Sequence, residues 1–130
     1  MDQKRFIRKT FNDEFIKFIT EVRTIFPEDK DVKKGVSALE LLKKANPKLI
    51  IEIWKQYIVD VYATQIENGE LDYFLDKDYQ NDVSDSGNAS EILTSINRLR
   101  QPIRNMGEKN KETSMQYIQQ LTKLCQLYFS

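Results

Sequence analysis

A chain of 130 residues with 20 basic and 20 acidic side chains, 40% apolar and 31% charged, has room for one domain with a core of ordinary size. Its zero net charge argues against a protein whose main business is coating nucleic acid or an anionic membrane. The lack of histidine removes the usual general base, the usual zinc ligand and every histidine-activated nucleophile, and the single cysteine, Cys125, excludes an intrachain disulfide and ordinary zinc sites.

Helical spacing dominates from the start. In "FNDEFIKFITEVRTIF", Phe15, Phe18, Ile19, Val22, Ile25 and Phe26 recur at threes and fours, an apolar stripe on one helix face. Asn12 is placed as the N-cap of this helix, with Phe11 and Ile16 as a hydrophobic staple. Pro27 should end the run, because the residue before a proline is pushed out of the helical region. "PEDKDVKKG" then reads as a charged connection, followed by a shorter helix in "VSALELLKKA" with Val36, Leu39 and Leu42 facing inward.

Asn46–Pro47 restarts the helix as an N-cap and first-turn proline. The next segment, "PKLIIEIWKQYIVDVYATQIENG", is the longest and most apolar of the chain. Ile50, Ile53, Trp54, Tyr57, Ile58, Val61 and Tyr62 cover more than half of its circumference, which predicts a long central helix packed on more than one side. Core packing is the reading for Trp54 and Tyr57. Asn68–Gly69 supplies a left-handed stop.

"LDYFLDKDYQNDV" begins with Leu71, Phe74 and Leu75 at helical spacing and dissolves into "SDSGNAS", turn residues with nothing to bury. We read about 70–88 as an acidic connection. Asn88 or Ser90 opens another helix with the stripe Ile92, Leu93, Ile96, Leu99 and Ile103, and Pro102 should kink or end it near Gln101. A last helix carries Met115, Ile118, Leu121, Leu124, Cys125 and Tyr128. No strand-like alternation and no internal repeat occur. The expectation is an all-α, single-domain bundle of five to six helices over residues 1–130.

Charge is unevenly spread. Residues 67–85 hold seven acids against Lys77, a net of −6, and residues 98–111 hold five bases against Glu108, a net of +4. Lys4, Arg5, Arg8 and Lys9 form a second basic cluster near the start. The acids do not make a calcium loop of the EF-hand type, which needs glycine at the sixth position and glutamate at the twelfth. Starting from Asp76 those positions are Asn81 and Gly87; starting from Asp78 they are Val83 and Ala89. A glycosidase-type carboxylate pair would need a cleft and a raised pKa, and an acidic loop offers neither.

Two surfaces are therefore the candidate sites: an acidic partner-binding edge of Asp72, Tyr73, Asp76, Asp78, Tyr79 and Asp82, and a basic patch of Arg98, Arg100, Arg104, Lys109 and Lys111. Tyr73 and Tyr79 suit a binding edge because amphipathic aromatics beside charge are favoured there. Without glycine-rich phosphate-binding spacing or interleaved exposed aromatics, the basic patch is a weak nucleic-acid signal. Catalytic residues, a metal site and a cofactor are not expected. Cys125, on the apolar stripe of the last helix, reads as a small buried hydrophobe.

The ordered phrases "FNDEFIKFITEVRTIFPEDKDV", "ANPKLIIEIWKQYIVDVYATQIENGELDYFLDKDYQNDV", "LRQPIRNM" and "YIQQLTKLCQLY" span nearly the whole chain. Through them it resembles a group of small helical proteins encoded by nucleocytoplasmic large DNA viruses, the chloroviruses and mimivirus relatives. The resemblance implies a viral protein of the host cytoplasm or the virion and brings no catalytic residues with it. An intracellular location agrees with the lack of a secretory apolar segment in "MDQKRFIRKT" and of any run near the roughly 18 apolar residues of a membrane helix. The expected function is a non-enzymatic helical interaction protein docking a protein partner or a second copy through the unlike patches. The alternative is a nucleic-acid-associated factor using the basic start of the chain with Arg98, Arg100 and Arg104.

Overall fold

The computed structural model describes residues 3–71, Leu75 and 87–130, and among them the chain is all helix with no strand. Helix α1 spans Gln3–Ile25 and α2 spans Lys30–Ala45. Leu49–Glu67 forms a third rod in three parts: α3 (Leu49–Trp54), a π-helical turn (Lys55–Val59) and α4 (Asp60–Glu67). Helices α5 (Gly87–Arg104) and α6 (Glu108–Tyr128) complete the all-α bundle.

The apolar stripes read from the sequence form the core. Phe11, Phe15, Phe18, Ile19 and Val22 of α1 are buried, with Phe11 and Phe15 stacked at 6.2 Å and both meeting Trp54 edge-on at 6.0 and 6.1 Å. Such ring geometries add to the area that the rings bury. Ile25, at the end of the stripe, is partly exposed, and Phe26 is half-buried.

Asn12 is not an N-cap. It lies nine residues inside α1, buried, and its Nδ2 donates to the carbonyl of Pro47 at 2.8 Å. A side chain that suits a cap locally instead makes a contact 35 residues away, tying α1 to the α2–α3 turn. The connection after α1 is shorter than "PEDKDVKKG" suggests. Asp29 caps α2, its carboxylate accepting from the N–H of Asp31 at 2.9 Å and of Val32 at 3.1 Å, so Asp31 to Gly35 are helical. Asn46 is the C-cap of α2 rather than the N-cap of the next helix: its Oδ1 accepts from Lys48 N–H at 3.1 Å within the turn, Pro47 lies in that turn, and α3 starts only at Leu49.

The third rod departs most from its expectation. The segment is helical, and α3 touches α1, α2, α5 and α6. However, the π-helical turn and a non-helical Tyr62 (φ −123°, ψ 15°) interrupt it. An inserted residue rotates the remainder of the rod by about 100°, the step of one α-helical residue. The core face therefore passes to Tyr62 and Ile66, both buried, and Val61, placed in the stripe by unbroken α-helical spacing, turns out to 54% exposure. The rod ends at Gly69 (φ +76°): Gly69 N–H reaches Ile66 O at 3.0 Å and Glu70 N–H reaches Gln65 O at 2.8 Å, the paired bonds of a Schellman stop.

α5 runs two residues past Pro102, to Arg104, rather than ending near Gln101. The missing proline N–H costs one helical bond, but Pro102 and Ile103 are both buried and hold the last turn against the core. The helix then tightens, with Asn105 N–H shared between Gln101 O at 3.0 Å and Pro102 O at 3.1 Å.

α1 and α6 lie antiparallel. Phe18 stacks on Tyr117 at 5.3 Å, while Lys4 sits 5.2 Å above the Tyr128 ring at the other end. α2 and α5 are also antiparallel, joined by Asp31–Arg98 at one level and by a close Gly35–Ser95 approach at the next.

Candidate functional site

The six residues of the acidic edge, Asp72, Tyr73, Asp76, Asp78, Tyr79 and Asp82, lie outside the described residues. The five basic residues are all placed, and the Asn105–Gly107 turn between α5 and α6 brings Arg104 together with Lys109 and Lys111 at one corner of the bundle. Arg98 is already committed: its Nη1 lies 3.3 Å from the Asp31 carboxylate of α2. Arg100 is half-buried and lines a small apolar cavity of about 20 Å³ with Phe15, Trp54 and Leu99. Lys109 is exposed and Lys111 half-exposed, and neither has an ion-pair partner among the described residues.

The basic start of the chain sits elsewhere. Lys4 lies over Tyr128, at the far end of α6 from Lys109. A 21-residue helix is about 30 Å long, so the two basic clusters occupy opposite ends of the bundle.

One cleft went unread in the sequence. It opens between α4 and α6, with a volume of about 400 Å³, and has Ala63, Ile66 and Glu67 on one wall and Gln119, Thr122, Lys123 and Gln126 on the other. Two tertiary bonds set its walls. Trp54 Nε1 donates to the buried Thr122 hydroxyl at 3.2 Å, holding α3 to α6, and Gln119 Nε2 donates to Ile66 O at 3.0 Å, holding the end of α4 to the same helix. Between these two ties the rod is deflected by the π-helical turn and the kink at Tyr62. The small Ala63 side chain keeps the space open. Residues 119, 122, 123 and 126 sit at i, i+3, i+4 and i+7, a polar stripe beside the apolar one. That spacing was the available signal, but only the placement of α4 shows that the stripe faces a second wall.

The one cysteine is buried in the core. Burial pushes the Cys125 thiol from 9.0 up to about 12, and its Sγ donates to Ile51 O at 3.4 Å. At neutral pH it is a packed thiol rather than a nucleophile. Burial, and then the Glu21 carboxylate, also raise Tyr117 above its ordinary 10.0. Among the described residues no three His, Cys, Asp or Glu side chains are grouped to hold a metal ion, and no helix is long and apolar enough to cross a membrane.

Comparison with protein-family models, with curated proteins and with solved structures finds no match to this chain.

Proposed function

We propose that this chain is a non-enzymatic helical interaction protein of a large DNA virus, acting in the host cytoplasm or as a minor component of the virion. It docks an acidic protein surface, either a partner's or the 67–85 segment of a second copy, which carries a net −6 in sequence. The viral origin rests on the four ordered sequence phrases. The observation that carries the docking is the α5–α6 corner, where Lys109 and Lys111 stand beside Arg104 without an ion-pair partner of their own among the described residues. Arg98, by contrast, is answered within the chain by Asp31. Surface lysines such as these steer and orient an acidic partner more than they add affinity. Head-to-tail pairing of unlike patches would extend into arrays.

Light scattering behind size exclusion, at low and at high salt, tests this reading. The expected result is a mass above the 15.4 kDa of one chain at low salt that falls as salt rises. The double substitution Lys109→Glu with Lys111→Glu should abolish the association. A monomer at both salts, or an oligomer indifferent to salt and to the charge reversal, would refute self-docking through this corner.

The nucleic-acid reading is less well supported, because Arg98 is paired with Asp31 and Arg100 lines the apolar cavity beside Phe15 and Trp54. Filter binding whose affinity falls steeply with salt, and is lost when Arg98, Arg100 and Arg104 become glutamine, would favour it instead.

A further inference from the structure

We propose that the α4/α6 cleft is a binding site for a small zwitterion of the α-amino-acid type. Its volume of about 400 Å³ falls in the range of small-molecule sites and far below what a docked helix needs. Unlike charges stand on its two walls, Glu67 at the end of α4 and Lys123 on α6. Both are exposed, and neither is ion-paired with any described residue, although they line the same space. An unlike pair held apart across a cleft matches a molecule carrying both charges. The ligand's carboxylate meets the Lys123 ammonium, and its ammonium meets the Glu67 carboxylate.

The rest of the lining fits that class. Half-buried Ala63 gives an apolar wall for a small uncharged side chain, with the buried Ile66 closing the floor behind it, while the amide of Gln126 adds a polar edge. The Gln119 amide, fixed by its bond to Ile66 O, gives the opposite wall a preorganised position. A π-helical turn, Lys55–Val59, immediately precedes the α4 wall of the cleft, and such turns are frequent at functional sites. The inference is independent of docking at the α5–α6 corner, since it involves none of the same residues.

The test is an amide-resolved NMR titration of the full chain with a panel of uncharged-side-chain L-amino acids, from glycine to phenylalanine. Each is compared with its carboxamide, which lacks the carboxylate, and its N-acetyl derivative, which lacks the ammonium. The expected result is saturable shifts confined to residues 63–67 and 119–126 for at least one amino acid, with each blocked derivative at least tenfold weaker. Lys123→Gln should erase the preference over the carboxamide, and Glu67→Gln the preference over the N-acetyl form. Both positions are exposed, so neither variant threatens the fold. No saturable shift from any member, equal response to the blocked forms, or shifts centred elsewhere would overturn the proposal.

Discussion

Replacing Gly35 by alanine sets two effects of known size against each other. In the middle of α2, glycine is worse than alanine by about 0.8–1.0 kcal/mol, so on an exposed helix face the change would stabilise. Gly35 is not on an exposed face. An added Cβ would lie 3.0 Å from the carbonyl oxygen of Ser95, 3.4 Å from Leu99 Cδ2 and 3.5 Å from Arg98 Cβ. The nearest atom belongs to the backbone of α5 and can yield only if the two helices separate. Overpacking of this kind costs about 1–3 kcal/mol. The clash should therefore exceed the propensity gain and leave a net loss of about 1 kcal/mol, which lowers Tm by roughly 3–6 °C for a chain of this length. Trp54 is the only tryptophan and is 2% exposed, so urea unfolding followed by its fluorescence reports the change directly. Gly107→Ser is the contrasting variant. Gly107 is the N-cap of α6 with extended backbone (φ −65°, ψ 163°), makes no side-chain cap bond, and has open space around it. A hydroxyl there should stabilise by about 0.3 kcal/mol. If Gly35→Ala instead stabilises by about 1 kcal/mol, the close α2–α5 approach is wrong.

Three further outcomes rest on single contacts. Cys125 should resist a thiol reagent such as DTNB at pH 8 until the protein unfolds. Because its folded pKa is raised from 9.0 to about 12, stability that is whole below 9.0 should decline as pH rises toward 12, with the raised Tyr117 adding to the loss above 10.0. Asn12→Asp replaces a donor to Pro47 O with a carboxyl that donates only when protonated, so urea denaturation should show a loss of about 1–3 kcal/mol that grows as pH rises above about 4. A loss independent of pH would mean that the carboxyl escapes to solvent. Thr122→Val removes the acceptor of Trp54 Nε1–H while keeping the shape, and should cost about 1–3 kcal/mol in the same assay with a changed Trp54 emission; an unchanged midpoint would show that the indole finds another partner at no cost.

The helical class and most of the core were legible because both depend on one-dimensional spacing. Phe15, Phe18, Ile19 and Val22 in α1, Ile92 to Ile103 in α5 and Met115 to Tyr128 in α6 fall on buried faces wherever the stripe is unbroken. Misreadings cluster where a residue with a good local role has a non-local one. Asn12 suits a cap but serves Pro47, and Pro102 suits a stop but is held in the helix by burial of its last turn. Val61 follows the stripe only if the helix is unbroken, and the π-helical turn breaks it. Of the candidate surfaces, the basic residues could be named from sequence, but not that Arg98 pairs with Asp31, that Arg100 lines an apolar cavity, or that the α5–α6 turn gathers Arg104, Lys109 and Lys111.

By itself the sequence determined the secondary structure class, the inward faces of the unbroken helices, the Gly69 stop and the removal of histidine-dependent chemistry, because each of these is set by residue type and by spacing within a few turns. The tertiary structure decided the helix starts, the rotation within the third rod, the Gly35 crossing and the α4/α6 cleft with Glu67 and Lys123 on its walls. Those depend on which helix lies against which, and a hydrogen bond or a close approach across 35 to 68 residues outweighs the local preference of about 1 kcal/mol or less that a short stretch of sequence expresses.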